Sequence, residues 1–131
     1  MNILKPIDIE EEIRLALKDY CTVYVRPLPA SYTLPNVLIT STGGRSGNTI
    51  DTFTVTMDSR AETDAEAYDA ISTAIGVLEA QAQAQTGALR HVAINGLARW
   101  GSDPARPDLK LCTATVLVTV HRESVDVEIN Q

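Results

Sequence analysis

Leu111 to His121 reads LCTATVLVTVH, and its alternation decides the fold. Cys112, Ala114, Val116, Val118 and Val120 recur at every second position. Thr113, Thr115 and Thr119 occupy the positions between, with Leu117 interrupting them. Successive side chains of a strand point to opposite faces, so this segment reads as a strand with one apolar and one polar face. A second stretch, IDTFTVTMD from Ile50 to Asp58, repeats the pattern. Phe53, Val55 and Met57 point one way, and Thr52, Thr54 and Thr56 the other. Both stretches are rich in β-branched residues, which suit a pleated surface.

An apolar sheet face needs a cover, and two helices are available to provide it. In the first, Ile9, Ile13 and Leu17 recur every four residues with Ala16 and Tyr20 beside them, which predicts a helix over Asp8–Tyr20. Acids at Asp8, Glu10, Glu11 and Glu12, followed by Arg14 and Lys18, suit the helix dipole. The second is predicted over Thr63–Gln85. Thr63 and Glu66 form a capping box, Ala67, Ile71, Ile75, Leu78 and Ala82 trace the buried face, and Gly87 provides the stop.

Three further strands complete the expectation: Thr22–Arg26, Val37–Thr40 and His91–Trp100, the last bulged or interrupted at Gly96. Pro27, Pro29 and Pro35 mark an extended connection, and GSDPARPD from Gly101 to Asp108 reads as a proline-rich turn. The tail Glu123–Gln131 alternates weakly and is expected to fray or to pair elsewhere. The order is αβββαββ in one domain spanning residues 1–131. The predicted fold is α+β, a mainly antiparallel sheet of four or five strands with both helices on one face. Ile13, Leu17, Phe53, Val55, Ile71, Ile75, Val116 and Val118 are the expected core.

The chemistry-bearing residues point away from catalysis. STGGRSGNT, Ser41 to Thr49, packs Gly43, Gly44 and Gly47 around Arg45. A phosphate-binding loop of the Walker type needs Gly-Lys-Ser/Thr running into a helix, so that backbone N–H groups and the helix terminus meet the phosphates. Here Asn48 and Thr49 follow Gly47, and a strand comes next, so no cofactor is expected. The segment reads instead as a poorly ordered hairpin loop that carries Arg45 and is ordered by a neighbour.

His91 and His121 have no second histidine at ligand spacing, and no compact metal-ligand set exists. The acids of the first helix read as a solvated helix start rather than paired catalytic carboxylates. Cys21 and Cys112 are too far apart in sequence for a ligand or redox motif, and Cys112 reads as a buried thiol. With no signal peptide or bilayer-length apolar run, a reducing cytoplasm or a particle assembled there is the expected compartment.

The chain has 131 residues, 44% apolar and 21% charged, with a formal net charge of -6. It carries no basic run, so the electrostatic footprint of a nucleic-acid binder is missing. What remains is surface. The expected contact residues are Arg45, Thr52, Thr54, Thr56, Thr113 and Thr115, together with Arg99 and Trp100 at the end of the fourth strand. Tryptophan and arginine are favoured interface anchors, and Trp100 fits a core position equally well.

The order helix, three strands, helix, two strands, with the LITSTGG hairpin, resembles the tail terminator (tail-completion) proteins of long-tailed bacteriophages. DIEEEIRLALKD, DSRAETDAEAYDAISTAIGVLEA and CTATVLVTVHRE resemble the same family over nearly the whole chain. The resemblance implies a structural virion protein without enzymatic activity. It implies a hexameric ring on the head-proximal end of the tail, stopping tube polymerisation and presenting a surface to the head connector protein. Its partners would be itself and the tail tube protein, with DNA passing through the ring unheld. Another head–tail connector or minor tail protein, or a small-ligand-binding α+β domain, is the alternative.

Overall fold

The alternating stretches form the middle of a five-stranded sheet in a computed structural model that describes residues 1–128. In chain order the elements are β1 (Asn2–Lys5), α1 (Ile9–Leu17), β2 (Val23–Val25), β3 (Asn36–Ser46) and β4 (Ile50–Ala61). They continue with α2 (Asp64–Ala84), β5 (Leu89–Asp103), β6 (Arg106–His121) and β7 (Glu123–Asp126). The sheet order is β2-β3-β4-β6-β5, and β1 pairs with β7 in a separate two-stranded ribbon. All pairings are antiparallel except β2 with β3, which is parallel. The fold is therefore α+β and mostly antiparallel, as the sequence predicts. The order is βαβββαβββ rather than αβββαββ.

Both helices lie on the face that carries Val55, Met57, Val116 and Val118, all without solvent exposure. Asp8 caps α1 by accepting from the Glu11 N–H at 3.3 Å, and Thr63 caps α2 by accepting from the Glu66 N–H at 3.2 Å. α1 contributes Ile9, Ile13 and Leu17 to the core. It ends at Leu17, not Tyr20, and Tyr20 stands 62% exposed, off the apolar stripe. α2 buries Ala67, Ala70, Ile71, Ala74, Leu78 and Ala82, an alanine-rich face that lets the helix approach the sheet closely. Ile75 lies at the margin of that face and is only partly buried, as is Phe53, so both are core-flanking rather than core. The helix stops at Gln85, which takes a left-handed φ of 54°, two residues before Gly87.

Four strands outrun their predicted lengths, for two physical reasons. The glycines of Ser41–Thr49 lie within a strand. Gly43, Gly44, Arg45 and Ser46 face Thr54, Phe53, Thr52 and Asp51, and Thr42 is the extra residue of a bulge. Gly43 accommodates the bulge with φ +115°, while a Cβ on Gly44 would lie 2.2 Å from the Thr52 carbonyl oxygen. The hairpin is thus paired to its tip, where the Gly47 N–H donates to the Ile50 carbonyl at 2.8 Å. This corrects the reading of a disordered loop.

The proline-rich segment is likewise a hairpin, with β5 running to Asp103 and β6 starting at Arg106. Here Asp103 braces the turn: its carboxylate accepts from the Ala105 N–H at 2.9 Å and from Arg60 Nε at 3.0 Å. Gly96 does sit in an irregular stretch of β5, with register shifts on both sides. The tail pairs rather than frays over Glu123–Asp126, and its last residues, 129–131, lie outside the described residues.

Candidate interaction surface

Residues directly opposite one another in a ladder share a face, so the register assigns the open side of the sheet row by row. One row is Arg45, Thr52, Thr119 and His91. Successive rows are Gly43, Thr54, Leu117 and Ala93; Thr40, Thr56, Thr115 and Gly96; and Leu38, Asp58, Thr113 and Arg99. Seven of the eight residues expected at a contact therefore stand on one face: Arg45, Thr52, Thr54, Thr56, Arg99, Thr113 and Thr115. Trp100 does not join them. It pairs with the buried Cys112 and so faces the helix side.

Three of the threonine hydroxyls on the open face have side-chain partners. Thr52 Oγ1 and Thr119 Oγ1 lie 3.1 Å apart, and Thr113 Oγ1 donates to Asp58 Oδ1 at 2.6 Å. Two ion pairs fix opposite ends of the sheet. Arg122 grips Asp51 through Nε and Nη2 and also reaches Ser46 Oγ. Arg60 meets Asp103 at 3.0 Å with both side chains nearly buried. Hydrogen bonds from Arg122 hold the Asp51 carboxyl below its ordinary range, and those from Arg60 do the same for Asp103; partial desolvation opposes the shift in each case. Burial raises the Cys112 thiol, which is fully enclosed and unsuited to nucleophilic chemistry.

The glycine stretch borders a shallow hollow of about 250 Å³ lined by Pro6, Gly44, Ser46, Asp51, Phe53 and Arg122. A phosphate placed there would meet the Asp51 carboxylate, and Arg122 is already engaged with that carboxylate. Among the described residues no group of three or more His, Cys, Asp or Glu stands together as a metal site. Glu10 departs from the solvated-helix reading. Its carboxylate accepts from the Ser41 N–H at 2.8 Å and from Arg26 Nε at 3.0 Å, pinning α1 to β3.

Sequence reasoning missed a second surface, the groove between α2 and the outer strand β5. Tyr68, Ile75, Gly76, Glu79, Ile94 and Ala98 line a space of about 230 Å³. Trp100 extends it, its ring 6.1 Å from that of Tyr68. Tyr68, Ile94 and Trp100 are 53%, 46% and 54% exposed, a cluster of large apolar groups left in water. The bulges that bring Ile94 and Ala98 beside α2 leave no periodic trace in the sequence. Gly96, where the strand was expected to bulge, and Trp100 were the signals of this region.

No protein-family model matches the chain, and no match is found among curated proteins. Among the described residues no helix is long and apolar enough to cross a membrane.

Proposed function

We propose that this protein is a structural tail-completion protein of a long-tailed phage, acting by capping the tail tube as a ring rather than by catalysis. The observation that carries the reading is the open face of the sheet. The central strands β4 and β6 set Thr52, Thr54 and Thr56 beside Thr113, Thr115 and Thr119, with Thr40 of β3 next to Thr56. The charged groups of these rows, Arg45, Asp58 and Arg99, stand in the first and last of them, and neither helix covers the face. Such a face can line a channel for DNA without gripping its phosphates, since tight phosphate contact requires clustered lysine and arginine. The likeness of the helix and strand segments to tail terminators supports the same function. In this reading the protein works at the head-proximal end of the tail, between the tail tube protein and the head connector protein. Contact with a tube end shifts the subunits towards rings, six to a tail.

The test is tube growth. Purified tail tube protein polymerised with the wild-type chain is expected to give tubes of restricted length, each with a ring of sixfold symmetry at one end in averaged electron micrographs. Tubes of unchanged length with bare ends would overturn the proposal.

A further inference from the structure

We infer that the groove between α2 and β5 receives the tip of the β3–β4 hairpin from a second copy of the chain, in a head-to-tail contact. The inference rests on the ring reading above and names the surfaces that would build the ring.

The hairpin tip has the properties of an insert. Thr42 to Ile50 are all exposed, and Arg45 is the sole charged residue among them. Arg45 and Ile50 project from the same side of the tip, since Arg45 faces Thr52 and Ile50 is two residues before it. Among the described residues Arg45, like Arg90 and Arg99, takes part in none of the ion pairs, whereas Arg14, Arg26, Arg60, Arg106 and Arg122 each have a carboxylate. The tip is also held in shape before any partner arrives. Arg122 ties Ser46 to Asp51 across it, and the Arg122 N–H donates to the Thr49 carbonyl at 3.0 Å. A segment ordered in advance loses little entropy on docking.

The groove offers apolar surface and one acid, Glu79. Its floor is apolar, its rim carries the exposed aromatic pair, and Gly76 leaves space that any side chain would fill. From Ala61 to Leu89 the chain has five acids, Glu62, Asp64, Glu66, Asp69 and Glu79, and no base. Glu79 lines the groove itself and takes part in no ion pair among the described residues. Glu79 is the one acid among the groove's lining residues, and an apolar slot with that carboxylate suits an isoleucine and an arginine on one face of a rigid hairpin. β4 and β6 separate β3 from β5, three inter-strand steps or roughly 14 Å. One chain can therefore insert its hairpin into a neighbour while its own groove receives another. Contacts between different patches close into rings when the rotation permits.

Charge reversal with mixing tests the contact. Arg45→Glu puts acid against acid, and Glu79→Lys puts base against base, so each variant alone is expected to associate at least ~10-fold more weakly than wild type in sedimentation across a concentration series. Mixed in equal amounts, the two variants are expected to associate again, because each tip then meets an opposite charge. Gly76→Leu is expected to block association while leaving the melting temperature unchanged or higher, since its Cβ meets nothing within 4 Å. The inference is overturned if wild type stays monomeric throughout, if the variants associate like wild type, or if mixing restores nothing. Tube capping that persists in Arg45→Glu and Gly76→Leu would sink this contact and leave the tail-completion reading standing. Failure of wild type to cap tubes would do the reverse.

Discussion

Val118 and Thr119 are neighbours on β6 and live in different surroundings. Val118 faces the helices with no solvent exposure, packed among Val55, Val116 and Val120. Thr119 points to the uncovered side, where its hydroxyl meets Thr52. The same division runs along β4, with Val55 and Met57 on the inner side and Thr54 and Thr56 on the outer. The inner face is dry and close-packed, so each methylene removed from water there adds about 0.8 kcal/mol. On the outer face Thr52 pairs with Thr119 and Thr113 with Asp58, and water can serve the other hydroxyls, so leaving it wet costs little and covering it gains little. Stability is concentrated on one face, which leaves the other free to vary with function.

The largest effect should come from breaking the inner face with charge. Val118→Asp would bury an unpaired carboxylate and is expected to abolish soluble folding, read as loss of soluble expression and of the far-ultraviolet dichroism of the sheet. A variant that expresses and melts like its parent would reverse the assignment of the two faces. Truncation on the helix side is the next step down. Leu78→Ala opens a cavity between α2 and the sheet, and chemical unfolding is expected to show a loss of about 3 kcal/mol.

The inner face was legible in the sequence because its chemistry is periodic. Val116, Val118, Val55, Ile13 and Leu17 repeat at 2 or 4 residues, and burial follows period. The ends of the strands were not legible, because glycine and proline have two uses. Gly43 and Gly44 look like a loop, yet they serve a bulge and a close backbone approach within a strand. The segment from Gly101 to Asp108 looks like a turn, yet Asp103 and Arg60 hold a tight hairpin there by a contact 43 residues apart. Such contacts depend on the assembled sheet and leave no local pattern.

β1 escaped notice for a similar reason. Its pairing with β7 joins Asn2 to Asp126, so neither strand shows its partner locally. Of the contact surface, the threonine rows were readable. The α2–β5 groove was not, since it arises where an irregular outer strand meets a helix side.

The two ends of the sheet are held by ion pairs, and acid should loosen them. The folded-state pKa values of Asp51 and Asp103 lie below the ordinary carboxylate value, so their contribution is fully present above about pH 4. It is lost as pH falls through the lowered values, where the native carboxylates take up protons. Arg122→Met removes the partner of Asp51 and is expected to cost about 2 kcal/mol at neutral pH. The gap between wild type and variant should narrow below about pH 4, because protonated Asp51 no longer needs the guanidinium. Thermal melts from pH 7 to pH 2.5 would check this, and a gap that widened in acid would show that Arg122 acts through packing alone.

The smallest effect belongs to the outer face, and its smallness is the sharpest test of the comparison. Thr52 and Thr119 share one hydrogen bond across adjacent strands, 3.1 Å between hydroxyls that are only partly buried. Cross-strand pairs of this kind contribute about 0.2–1 kcal/mol, because water replaces a lost partner at an exposed site. Thr52→Val and Thr119→Val each delete one hydroxyl while keeping the β-branched shape, and each is expected to cost under about 1 kcal/mol. A double-mutant cycle isolates the bond itself: the double variant should lose less than the sum of the single losses, since the second change removes no further bond. Coupling of 2 kcal/mol or more would mean that the outer face carries stability as the inner one does. A weak coupling, with association unchanged in the double variant, would leave the threonine rows as a smooth wall rather than an adhesive surface.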